Sequence, residues 1–102
     1  MKEKSLLFLL QQEDFAVKEV NSMIGEMDFI SGVIESLKRK GDEYKGTYRQ
    51  DKELLELLLQ DNKEDVSRWE EKLRICKKEE EKRRENLFDA RKELFSYIKN
   101  FS

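Results

Sequence analysis

The side chains of this chain that could do chemistry are its carboxylates, its one thiol and a run of lysines and arginines. Asp and Glu supply 23 residues and Lys and Arg 21, and there is no histidine. Without histidine the commonest general base and metal ligand is missing. The carboxylates recur on helical faces expected to be solvated, where nothing would shift their pKa values, so they compose neither an acid–base pair nor a metal cage. Cys76 precedes Lys77 and Lys78, which favour a thiolate. Its place in a heptad pattern reads instead as a small packed hydrophobe. Lys45-Gly46-Thr47 resembles the end of a phosphate-binding loop but lacks the upstream glycine and strand. The sequence therefore points away from an enzyme, and no catalytic residue, cofactor-binding residue or metal ligand is assigned.

Charge narrows the partners. Arg68, Arg74, Lys77, Lys78, Lys82, Arg83 and Arg84 could meet phosphates, but glutamates interleave with them and the net charge is -2. A duplex needs a net basic surface, so nucleic-acid binding is the weakest of the readings kept open. One cysteine excludes an internal disulfide. The apolar run from Ser5 to Leu10 is too short for a secretory signal, and no stretch reaches the ~20 apolar residues of a membrane span. A cytoplasmic, soluble protein is expected. The glycosylation sequon Asn100-Phe101-Ser102 is then read as chance.

What remains is a pattern for contact, and helices must position it. Of 102 residues, 43% are charged and 37% hydrophobic, with no proline, a balance typical of long helices and coiled coils. Leu6, Leu9, Glu13, Ala16, Val20, Met23, Met27, Ile30, Ile34 and Leu37 step by three and four. So do Val66, Trp69, Leu73, Cys76, Glu80, Arg83, Leu87, Ala90, Leu94, Tyr97 and Phe101. Such tracks are the seams of helices that pack along one another, and Val20, Met27, Ile34, Val66, Trp69 and Leu73 are the expected seam residues. The expected fold is all-α: a single-domain antiparallel helical hairpin, with helix one over about residues 4–40, a turn at 41–46 marked by Gly41 and Gly46, and helix two over about 47–100. Asp61 to Asp65 resembles a helix restart and carries a four-residue stutter in the seam. A break near Asn62, giving three helices, is the alternative.

Several apolar side chains lie off the seam. Phe8, Phe15 and Phe29 fall on one seven-residue grid, and Ser22, Gly25, Gly32 and Ser36 complete that side of helix one with small residues. A simple two-stranded coil would leave this face in water. With the turn at 41–46, Leu6 would lie near Glu81, and the segment from Leu87 to Phe101 would project beyond the hairpin. The expected protein-interaction residues are therefore Phe8, Phe15, Phe29, Leu87, Phe88, Leu94, Phe95, Ile98 and Phe101, contacting protein partners, a second copy, or both. Glu80 and Arg83 occupy seam positions within Lys77 to Glu85. They read either as part of a solvated stretch or as a charged layer that selects register or partner.

A proline-free helical hairpin of this kind resembles the coiled-coil stalk subunits of type III secretion and flagellar export ATPases. The resemblance rests on the two heptad tracks, the Gly41–Gly46 turn, and Arg68-Trp69-Glu70-Glu71-Lys72 leading into the Lys/Arg/Glu run. It implies a two-helix stalk at the centre of a hexameric ATPase that also meets export-gate proteins and chaperones. It carries no residue role across. The expected function is a non-enzymatic coiled-coil adaptor or stalk in bacterial protein export. The alternative is a secretion chaperone or helical scaffold that holds a partner helix.

Overall fold

The computed structural model describes residues 5–100. They form two α-helices, α1 (Leu6–Thr47) and α2 (Lys52–Asn100), joined by residues 48–51. The helices run antiparallel, as cross-helix contacts from Leu37 to Asn62, from Glu19 to Arg83 and from Glu13 to Arg91 require. The all-α hairpin expected from the two tracks is thus the fold.

Each helix starts on a side-chain cap. Ser5 Oγ accepts from the Phe8 N–H at 3.2 Å, and Asp51 Oδ1 accepts from the Leu54 N–H at 3.1 Å. Both supply a partner to an N–H that the first turn of a helix leaves open.

The link between the helices differs from expectation. Residues 41–46 are helical, and the chain turns at 48–51. The heptad track explains why. It continues past Leu37 to Gly41, Tyr44 and Tyr48, all at least half-buried, and the rings of Tyr44 and Tyr48 lie 6.1 Å apart. Gly41 is a seam residue. A Cβ placed there would meet Asn62 Oδ1 at 2.7 Å. The Asn62 amide in turn donates to the Leu37 carbonyl at 2.8 Å. Glycine at this position serves close approach between helices rather than helix termination.

The later turn has two consequences. Asn62, read as a possible break, lies inside an unbroken α2, its amide held by α1; the three-helix alternative does not occur. The projecting segment is also lost. Arg91 reaches Glu13 at 3.1 Å, and Ala90 is only 2% exposed, so this part of α2 packs against α1. Lengthening α1 moved its pairing with α2 along the chain, and the expected overhang from Leu87 is consumed.

The chain groups into two compact units. One pairs the residues up to Gly25 with those from Lys77 onward; the other spans Glu26–Cys76. In the first, Leu9, Ala16, Val20, Met23 and Ala90 are buried. In the second, Ile30 and Ile34 are buried, with Met27, Val66, Trp69 and Leu73 half-buried. Among the described residues no buried side chain is charged. Two helices cannot enclose a core on all sides, so most seam positions of α2 keep one flank in water.

Candidate protein-interaction surface

The unit built from the two chain ends has two unlike edges. On one, Gln12, Phe15 and Glu19 of α1 face Glu79, Arg83, Asn86 and Asp89 of α2 across a shallow groove. Arg83 spans it. Its guanidinium lies 2.9 Å from the Glu19 carboxylate, donates to the Glu19 carbonyl at 3.3 Å, and meets Glu79 at 3.3 Å. The charged seam layer thus pairs within the chain, with Arg83 tying to α1 and Glu80 to Arg84. Such a layer costs stability relative to an apolar one but penalises slipped registers.

The other edge follows from helical phase. Phe88 and Phe95 lie seven residues apart and roughly 160° around α2 from Asn86, by a turn of 100° per residue. In an antiparallel pair this side of α2 adjoins the side of α1 that carries Leu10 and Val17. Phe88 and Phe95 are 66% and 72% exposed, and Leu7, Leu10 and Ile98 are exposed beside a half-buried Val17. Three ion pairs are made within the chain here: Arg91 with Glu13, Arg84 with Glu80, and Asp14 with Lys18 at 3.0 Å.

The unit over Glu26–Cys76 carries a smaller feature. Phe29 meets Trp69 edge to face, centroids 6.3 Å apart, and Lys72 Nζ sits 4.2 Å from the Trp69 ring centroid. Ile75, Cys76 and Glu26 complete this open groove. Phe29 is 65% exposed while its neighbour Ile30 is 4% exposed, so one step along α1 separates surface from core. Further along, Arg74 is held protonated above its ordinary pKa, chiefly by its hydrogen bond with Glu71 and then by that carboxylate's charge.

Of the expected interaction residues, Phe8, Phe15, Phe29, Phe88, Phe95 and Ile98 are exposed off the seam. Leu87 and Leu94 are half-buried on the seam, and Phe101 lies outside the described residues. The phenylalanines do not form one surface: by helical phase Phe8 shares the edge of Phe15, whereas Phe88 and Phe95 lie on the opposite edge. Leu7, Leu54, Leu57 and Ile75 are exposed as well and were not expected.

Among the described residues no three potential ligands cluster for a metal ion, and no helix is long and apolar enough to cross a membrane. No protein family, curated protein or solved structure shows significant similarity to the chain.

Proposed function

We propose that this chain is a non-enzymatic helical adaptor or stalk that assembles with other proteins, in bacterial protein export of the type III kind. The observation that carries the reading is the concentration of large apolar side chains outside the seam. Of the thirteen large apolar residues exposed among the described residues, nine belong to the unit built from the two chain ends, and of those nine only Leu6 is on the seam track. A hairpin whose task ended at its own seam would have no use for this surface in water. The export setting is supported by the hairpin architecture and by Arg68 to Lys72 leading into a charged stretch, as in the stalk subunits that the sequence resembles.

The test is affinity capture of the full chain from cells of its own organism, followed by mass spectrometry. Export-apparatus proteins are expected among those enriched, and Phe15→Ser with Phe29→Ser is expected to lose some of them while helicity is kept. Enrichment of no protein above background by either form overturns the reading.

The alternative, a chaperone that holds a partner helix, draws on the groove at Phe29, Trp69 and Ile75, whose apolar floor and flanking Lys72 and Glu26 suit an amphipathic helix. A client peptide that gains helicity on mixing favours it over a stalk.

A further inference from the structure

The edge that carries Phe88 and Phe95 admits a more definite occupant. We infer that it is the interface of a two-fold symmetric homodimer, in which the Phe88–Phe95 face of one copy packs on the same face of a second. This deepens the reading of the chain as an assembling protein and rests on it.

The first support is area. Phe88 and Phe95 are 66% and 72% exposed, Leu7 65%, Ile98 50% and Leu10 46%. Taking about 200 Å² for each aromatic side chain and slightly less for each aliphatic one, these five offer roughly 500–600 Å² of apolar surface per copy. A stable interface of ordinary size takes about 800 Å² from each partner, of which about 56–65% is apolar, or roughly 450–520 Å². The face therefore carries the apolar surface of a complete interface.

The second support is charge. The arginines on this face are neutralised within the chain, Arg91 by Glu13 and Arg84 by Glu80, and Asp14 is paired with Lys18. These pairs leave a partner of opposite charge little to recognise. The net charge of -2 adds little repulsion at longer range.

The third support is symmetry. A two-fold interface must be self-complementary. Phe88 and Phe95 stand two turns apart on one face of α2, so an axis passing beside Arg91 and Lys92 sets Phe88 of each copy against Phe95 of the other.

Sedimentation equilibrium of the full chain over about 1–100 µM tests this. A mass twice 12.3 kDa is expected at the upper concentrations. Phe88→Glu with Phe95→Glu is expected to weaken the dimer about 100-fold or more, as loss of central aromatic anchors does, with helicity retained by circular dichroism. Phe15→Glu with Phe29→Glu, on the other edge, is expected to leave the mass unchanged. A second variant needs no loss of packing: Lys92→Cys, in a chain with Cys76→Ser, is expected to form an intersubunit disulfide on mild oxidation. A wild-type monomer at 100 µM overturns the inference, as does a dimer indifferent to Phe88 and Phe95. A monomer that still captures export proteins sinks the dimer and leaves the adaptor reading standing; a dimer that captures nothing does the reverse.

Discussion

The two compact units hold their helices in register by different means. Over Glu26–Cys76 the polar contact is uncharged: the Asn62 amide against the Leu37 carbonyl, admitted by the missing side chain of Gly41. In the unit of the two chain ends it is ionic, Arg83 to Glu19 and Arg91 to Glu13, beside a buried Ala90. A short amide demands close approach and fixes one position sharply. Long arginines span a wider gap and tolerate small shifts. The difference teaches that close backbone approach and long charged side chains are alternative ways of setting register, and that the second leaves large side chains free to face outward. The unit with the ionic contacts also carries most of the exposed apolar surface.

The sharpest way to break the ionic unit is at its tightest point. Ala90→Asp would place a carboxylate at a site only 2% exposed. A loss of about 3–5 kcal/mol, the range for an uncompensated buried charge, is expected in urea unfolding followed by circular dichroism. A loss under about 1 kcal/mol would show that the two helices are not closely packed there.

Next is the contrast between neighbours in the other unit. Ile30→Ala is expected to cost about 2–4 kcal/mol, whereas Phe29→Ala, at a side chain 65% exposed, is expected to cost under about 1 kcal/mol. Equal losses would mean that the seam has been assigned to the wrong face of α1.

The glycines sharpen the comparison further. Gly32 has nothing within 4 Å of an added Cβ, so Gly32→Ala is expected to stabilise by about 0.5–1 kcal/mol through helix propensity. Gly41→Ala brings the same propensity gain but pushes Asn62 off the Leu37 carbonyl, so a net loss of about 1 kcal/mol is expected. Adding Asn62→Ala should recover most of it. A Gly41→Ala protein as stabilised as Gly32→Ala would remove the close-approach argument.

The smallest effect belongs to the ion pairs. The Arg83 side chain is 26% exposed and that of Glu19 36%, so Arg83→Gln is expected to cost about 0.5–1 kcal/mol. The cost should shrink as salt rises from 0.05 to about 0.5 M. A loss that does not change with salt would point to packing by the arginine stem instead.

Much of this molecule was legible from the chain, for reasons that differ by residue. Periodicity of three and four reports which face of a helix avoids water, so Val20, Ile30 and Ile34 could be read as buried and Phe15, Phe29, Phe88 and Phe95 as exposed. The link was misplaced because glycine carries two meanings. Gly41 followed three basic residues and looked like a helix stop, yet it stood four residues after Leu37 and three before Tyr44, squarely on the track. The pattern outweighed the local signal because each seam position it extends gains contact along the partner helix, whereas a helical glycine costs only about 1 kcal/mol. From that displacement came the unfounded overhang, whereas the suspicion of a break at Asn62 came from the restart signal over Asp61 to Asp65 and the stutter in the seam.

The amino-acid sequence by itself determined that two long helices form and which stripe of each turns inward, because these are properties of spacing along a single helix. Tertiary structure alone decided which residue stands opposite which: Asn62 with Leu37, Arg83 with Glu19, Arg91 with Glu13. That choice depends on the place where the chain reverses and on the gap each pair must span. It also decided that the phenylalanines divide between two edges, because an edge belongs to a pair of helices and does not exist in either one alone.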